Sequence, residues 1–160
     1  MKATYYRNFI FGVEDSLVST VGLLSGIAIA GVPRETIFLS GMVLIFVEAF
    51  SMAAGSFLSE ASAEEYSKQK SVLHTHTILS GVIMFSSYFV AGFIPLLPYL
   101  VAETDRALPL SIAASVLALF ILGFAGGVLS KTSVMRSALR MTIVGGAAIA
   151  IGVAVGSYLS

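Results

Sequence analysis

The chain has 160 residues, of which 57% are apolar and only 11% are charged, and its mean hydropathy is +0.95. Soluble domains carry about 25% charged residues, so this composition excludes an ordinary soluble protein and predicts an integral membrane protein. The net charge of zero argues against a nucleic-acid partner, and the absence of cysteine excludes disulfides and thiolate metal sites.

Five apolar segments follow one another along the chain, each long enough to cross a bilayer as a helix. We place them at residues 9–32, 37–59, 72–97, 108–129 and 139–159 of a single transmembrane domain. The first is expected to end at Pro33, and the third at Pro95 and Pro98. The sequence therefore predicts an all-α, multi-pass protein of the cell membrane or an internal membrane, with five transmembrane helices.

Basic residues are unevenly distributed between the two sets of connecting segments. The side of the N-terminus has seven of them: Lys2, Arg7, Lys68, Lys70, Lys131, Arg136 and Arg140. The opposite side has only Arg34 and Arg106. The positive-inside rule then places the N-terminus in the cytoplasm and the C-terminus outside or in a lumen.

The first span carries two acids, Glu14 and Asp15, about one to two turns inside its predicted start. Asp15 and Ser19 share a helix face at i, i+4, and hard divalent cations prefer such oxygen ligands. We therefore expect Asp15 to have a function. For Glu14 the simpler expectation is a hydrated side chain at the membrane interface, paired with Arg7, and contact with metal is the alternative.

Glu48 is the only charged residue between Ile37 and Leu58. It should lie near the bilayer midplane, where an ionisable side chain costs about 2.5–3.5 kcal/mol. No Lys or Arg deep in a span is available to pair with it, so we expect it to be either protonated or metal-bound. An acid that holds a proton when empty and yields it to a cation is what proton-coupled exchange requires. The alternative is a structural role, as a neutral acid hydrogen-bonded to a neighbouring helix.

Met52 follows Glu48 by one helical turn, and its thioether is either a soft metal ligand or ordinary core packing. From the predicted span ends, Asp15 lies about 9 Å and Glu48 about 16 Å inside the membrane, with Met52 between them. An ion entering from the cytoplasm would then pass Asp15, Met52 and Glu48 in that order.

The helical pattern of the second span can continue past the membrane into an acidic segment, which contains Glu60, Glu64 and Glu65. These acids either raise the local cation concentration at the mouth of a pathway or form only a solvated helix end. His74 and His76 follow at the start of the third span. At i, i+2 on a helix they diverge, so a joint metal site is not expected.

Small residues recur at helix-packing spacing in three GxxxG pairs: Gly22/Gly26, Gly123/Gly127 and Gly152/Gly156. Such pairs let helix backbones approach closely in lipid, either within one chain or across a dimer.

Two stretches of the chain resemble the vacuolar iron transporter family, the iron and manganese carriers that include nodulin-like plant members. The first is Gly12–Gly26 (GVEDSLVSTVGLLSG), with its Asp followed by a run of small and hydroxyl-bearing residues. The second is Ser51–Ser59 (SMAAGSFLS), followed by the Glu-rich Ala63–Tyr66 (AEEY). Five spans with a cytoplasmic N-terminus agree with the family over the whole chain.

The resemblance implies a homodimer in the bilayer with an ion pathway at the subunit interface. It also implies export of Fe²⁺ or Mn²⁺ from the cytoplasm in exchange for protons, with pathway positions at Asp15 and Met52. The transported ion is the substrate, and neither a resident cofactor nor a catalytic residue is expected. Together with the residue-level reasoning, this predicts metal contacts at Asp15, Glu48, Met52, Glu14, Glu60 and Glu64.

The sequence departs from the family pattern at three points. Ser56 stands where many members have Glu, and the second-helix acid, which in the family lies nearer to position 44, is here Glu48. The cytoplasmic metal-binding domain that larger members insert between helices two and three is reduced to a short segment.

Three other functions were weighed against export. A passive cation or proton channel would use the same intramembrane acids without coupling. A structural membrane subunit would leave Glu48 unexplained. An intramembrane enzyme is disfavoured, because no histidine lies deep in a span and no HExxH motif is present.

Overall fold

The computed structural model describes residues 2–68 and 75–159, and within them the chain is almost entirely helical. The helices are α1 (Lys2–Ile29), α2 (Arg34–Lys68), α3 (Thr75–Val101), α4 (Thr104–Leu129) and α5 (Val134–Leu159). All five are long and apolar enough to cross a membrane. The predicted all-α class with five spans is confirmed, whereas the cytoplasmic placement of the N-terminus stays a prediction.

All five helices extend beyond the predicted spans at one end or at both, and the extensions of α1 and α3 change specific predictions. α1 begins at Lys2 rather than at residue 9, so Glu14 and Asp15 lie in the middle of the helix. α3 continues through Pro95 and Pro98 to Val101, so the prediction that these prolines end the third span is wrong. Membrane helices tolerate proline where a neighbouring helix supplies hydrogen bonds. Pro95 and Pro98 remove the N–H partners of the Ala91 and Ile94 carbonyls. In the same part of α3, Ser111 of α4 donates its hydroxyl to the Pro95 carbonyl at 2.6 Å.

The acidic segment after the second span is helical, as expected, because α2 continues without interruption to Lys68. Its 35 residues exceed the length needed to cross the hydrocarbon, so the last turns of α2 extend beyond it. His74 lies outside the described residues.

α1 is the central helix of the bundle, because it packs against each of the other four. α2 and α5 both contact α1 but hardly contact each other, so a strip of α1 between them remains open. Phe11 and Leu23 lie on this strip, with 48% and 38% of their surfaces exposed. In a membrane, that strip faces either lipid or another protein.

The GxxxG pairs bring helices of one chain together. A methyl group on Gly26 of α1 would lie 2.7 Å from the Gly152 carbonyl oxygen of α5, and Gly156 packs against the Gly26 carbonyl. On α4, a methyl group on Gly123 would lie 2.7 Å from the Cα of Ala138 in α5. The absence of side chains at these positions therefore allows α5 to touch α1 and α4 backbone to backbone.

Buried apolar residues concentrate at the end of the bundle that carries the C-terminus. Leu24, Ile37, Leu96, Tyr99 and Ala107 form this cluster, drawn from four helices. A smaller cluster of Leu17, Ala91 and Leu119 lies near the middle. The end that carries the N-terminus has more polar contacts, and these organise the candidate site.

Candidate functional site

The relative depth of α1 and α2 is set by contacts at both ends of the two antiparallel helices. Near the N-terminus, Asn8 Nδ2 donates to Ser56 Oγ at 3.0 Å. At the other end, a methyl group on Gly41 would lie 3.1 Å from Leu24 Cδ2. The same register therefore holds along the whole contact.

This register places Asp15 and Glu48 at the same level of the bundle. Asp15 lies seven residues beyond Asn8, a distance of about 10.5 Å along α1. Glu48 lies eight residues before Ser56, a distance of about 12 Å along α2. The two acids are close enough for their charges to interact, and both also interact electrostatically with the buried Tyr88. The predicted depth difference is therefore wrong, because α1 starts seven residues earlier than expected.

Met52 does not lie between the two acids in depth. It is one turn from Glu48 toward the end of the bundle that carries the N-terminus, so an ion entering there would meet Met52 first and then both acids together. The predicted order of Asp15, Met52 and Glu48 is corrected accordingly.

Asp15 and Glu48 are half-buried and open on the exposed strip of α1, not on the interior of the bundle. Asp15 lines a depression of about 210 Å³ with Glu14 and with Val144 of α5. Glu48 lines a groove of about 440 Å³ with Leu23 of α1. Within residues 2–68 and 75–159, no three His, Asp or Glu side chains of one chain converge on a possible ion.

Glu14 is half-buried on α1 and interacts electrostatically with Asp15 and with Arg140 of α5. The expected pairing of Glu14 with Arg7 is not found. Arg7 instead forms an ion pair with Glu60 of α2, with 3.7 Å between Arg7 Nη2 and Glu60 Oε2. Glu60 is one of the residues predicted to contact metal. The reason is geometric, since Arg7 and Glu14 are two turns apart while Glu60 faces the first turns of α1.

A cleft of about 650 Å³ lies between α1, α2 and α3 near the N-terminus. Its lining includes Asn8, Phe11, Met52, Ser56, Glu60 and Met84. Glu60 lies at its mouth and Met52 deeper, one turn before the level of the two acids. The cleft thus leads from the N-terminal end of the bundle toward Asp15 and Glu48.

Glu64 is held by α3. Its Oε1 lies 2.7 Å from His76 Nε2, and Thr77 donates its hydroxyl to Oε2 at 3.3 Å. Only 15% of the Glu64 side chain is exposed, whereas Glu65 next to it is exposed. Glu64 therefore ties the extension of α2 to the start of α3.

Sequence reasoning missed three residues of this region: Asn8, Tyr88 and Met84. Asn8 precedes Asp15 by two helical turns, so its place on the same face was a readable signal. Tyr88 is fully buried; its hydroxyl shares a 2.7 Å hydrogen bond with Ser19, and Ser16 donates to its carbonyl at 2.6 Å. Nothing in the sequence distinguished Tyr88 or Met84 from ordinary packing residues of an apolar helix.

Comparison with known proteins finds similarity across nearly the whole chain. The model of the VIT family matches residues 6–77 and 64–157. Vacuolar iron transporter homolog 4 of Arabidopsis thaliana is 30% identical over 164 residues, which cover 94% of this chain and 81% of the relative. Homolog 3 of the same plant is 30% identical, with 94% and 80% covered. An uncharacterized protein of Methanocaldococcus jannaschii is 26% identical, with 91% and 84% covered.

Proposed function

The chain belongs to the VIT family, as its sequence resemblance predicted, and from that premise we propose that it carries Fe²⁺ or Mn²⁺ across a membrane. It is a multi-pass integral membrane protein, and the two Arabidopsis relatives named above are called vacuolar iron transporter homologs. On this proposal it is a transporter rather than an enzyme, and the metal ion is its cargo.

The observation that carries the proposal is the meeting of Asp15 and Glu48 at one depth in the middle of two spans. Placing an ionisable group inside a membrane costs free energy, and the ionisable groups found there usually mark ion or proton pathways. Carboxylate oxygens suit divalent cations, and the thioether of Met52 one turn away adds a ligand that transition metals accept better than Ca²⁺ or Mg²⁺.

We further propose that two copies of the chain assemble with their α1 strips facing each other. Asp15 and Glu48 open on that strip, where one chain alone leaves apolar side chains such as Phe11 and Leu23 exposed. A second copy would double the two carboxylates, giving four carboxylate groups around an ion. The same contact would shield the acids from lipid.

Proton coupling would follow from the pairing of the acids. Two ionised carboxylates at one depth in a membrane repel each other, and either a proton or a divalent cation would relieve that repulsion. We propose that the site exchanges the one for the other. An inward proton gradient would then drive metal out of the cytoplasm, with entry through the cleft beside Glu60 if the N-terminus is cytoplasmic.

Metal flux into proteoliposomes, with and without a pH gradient, tests this proposal. Glu48→Gln and Asp15→Asn imitate the protonated acids, so each should fold and assemble but lose coupled flux and lose proton release on metal binding. Glu35→Gln is the matched control, because Glu35 lies in the first turn of the same helix, away from Glu48, and 77% of its side chain is exposed.

Wild-type flux in Glu48→Gln would contradict the proposal. Flux that requires Glu48 but ignores the pH gradient would identify a passive channel instead.

A further inference from the structure

A second methionine faces the cleft that contains Met52. Met84 of α3 lines this cleft and is 3% exposed. A methyl group on Gly12 of α1 would lie 3.2 Å from Met84 Sδ, so the sulfur sits directly against the α1 backbone. The absence of a side chain at Gly12 leaves room for the Ser87 hydroxyl and for the thioether.

The two thioethers lie at the same depth. Met52 is four residues from Ser56, and Gly12 is four residues from Asn8. Because Asn8 and Ser56 are hydrogen-bonded to each other, Met52 and the Gly12–Met84 contact lie one turn further in, at matching levels. Asp15 and Glu48 come about one turn beyond that level. The sulfurs therefore precede the acids on the route from the mouth of the cleft.

Asn8 adds a hard oxygen beside the two sulfurs. Its Nδ2 donates to Ser56 Oγ at 3.0 Å and reaches the Ser80 carbonyl at 3.5 Å. A carbonyl only accepts, so the amide nitrogen is the atom that faces Ser80, and both N–H groups are engaged with protein. Among residues 2–68 and 75–159, no group donates a hydrogen bond to the Asn8 Oδ1. That oxygen remains available to a cation in the cleft.

We propose that Met52, Met84 and Asn8 form a separate, uncharged station for a divalent transition metal, one turn before the paired acids, and that Met84 sets its selectivity. The inference rests on the proposed transport function and extends it. Two thioethers favour Fe²⁺ over Mn²⁺ and disfavour Ca²⁺ and Mg²⁺, which prefer oxygen alone. Because the station contains no carboxylate, it binds weakly enough to release the ion onward, as conduction through successive sites requires.

Competition uptake by the full-length chain in proteoliposomes, with Fe²⁺ against Mn²⁺ and Fe²⁺ against Ca²⁺, tests the role of Met84. Met84→Leu keeps the side-chain volume and removes the sulfur, so the preference for Fe²⁺ should fall several-fold while Mn²⁺ uptake persists. Met42→Leu is the control, because Met42 packs against the apolar cluster at the other end of the bundle. That variant should keep the wild-type preference.

X-ray absorption at the iron edge of the Fe²⁺-loaded wild-type protein supplies a second test that needs no substitution. Sulfur neighbours should be present, and their contribution should weaken in Met84→Leu. An unchanged metal preference in a folded Met84→Leu protein, or only oxygen and nitrogen neighbours in the wild type, would overturn the proposal and leave Met84 as packing. Absence of metal uptake by the wild type would instead reject the proposed transport function itself.

Discussion

α1 meets its neighbours in different ways at the two ends of the bundle. At the end that carries the C-terminus, Gly26 and Gly152 bring α1 and α5 into backbone contact, and Leu24, Leu96 and Tyr99 fill the space between helices. At the end that carries the N-terminus, a polar cleft separates α1, α2 and α3. Backbone contact leaves no room for an ion, whereas the cleft has space for one and is lined by polar and thioether side chains.

This difference suggests where the molecule must change during transport. The cleft reaches Met52 and Met84 from one end, one turn short of the level of Asp15 and Glu48. Closely packed interfaces switch between discrete arrangements instead of deforming continuously. Release at the other end therefore requires either that α5 moves on α1 or that the route leaves each chain between two copies.

The largest effect is expected where the glycine contact is broken. Gly152→Leu would force a side chain into the Gly22 carbonyl, so the protein should lose about 3 kcal/mol or more of stability, or fail to assemble. Thermal unfolding in detergent measures this. Gly146→Ala is the matched control, because nothing lies within 4 Å of a methyl group there. Equal losses in both variants would show that close α1–α5 packing is not what stabilises this end.

A smaller effect is expected from Asn8→Ala at the cleft end. The change removes the bonds to Ser56 Oγ and the Ser80 carbonyl, and should cost about 1–3 kcal/mol because buried polar groups lose their partner. The same thermal unfolding experiment applies, with Ser62→Ala on the exposed extension of α2 as control. If Asn8→Ala and Ser62→Ala unfold alike, the register of α1 and α2 does not depend on this bond.

Ser111→Ala should cost less, about 0.5–1.5 kcal/mol, because it removes a single hydroxyl donor to the Pro95 carbonyl. The loss should be confined to the stability of the C-terminal end and leave metal uptake through the cleft intact. A variant with normal stability but altered uptake would show that the proline-containing part of α3 moves during transport.

The smallest change concerns the charges at the mouth of the cleft. Glu60→Gln and Glu65→Gln should each slow uptake a few-fold at most at low metal concentration, and the slowing should shrink as salt screens the charges. Glu103→Gln at the opposite end is the control, since 84% of that side chain is exposed. A defect that persists unchanged at high salt would indicate direct coordination of the metal rather than attraction at a distance.

Much of the architecture could be read from the sequence, because hydropathy and charge placement are local properties of each segment. The five spans, the isolated Glu48, Asp15 with its hydroxyl neighbours and the family resemblance all belong to this class. The extent of α3 could not be read in this way. Proline predicts a helix end, but α3 continues through Pro95 and Pro98 to Val101, and Leu96 and Tyr99 of this part are buried against other helices.

The tertiary structure alone decided which residues meet. The pairing of Asp15 with Glu48 depends on the α1–α2 register, which is set by contacts between residues distant in the chain. Asn8 and Ser56 are 48 residues apart, and Gly41 contacts Leu24 of the preceding helix. The same holds for Glu60 with Arg7 and for Glu64 with His76. Hydropathy is nearly equal on all faces of such apolar helices, so it cannot specify rotation or register. Those are chosen by the few positions where small or polar side chains allow helices to approach and bond.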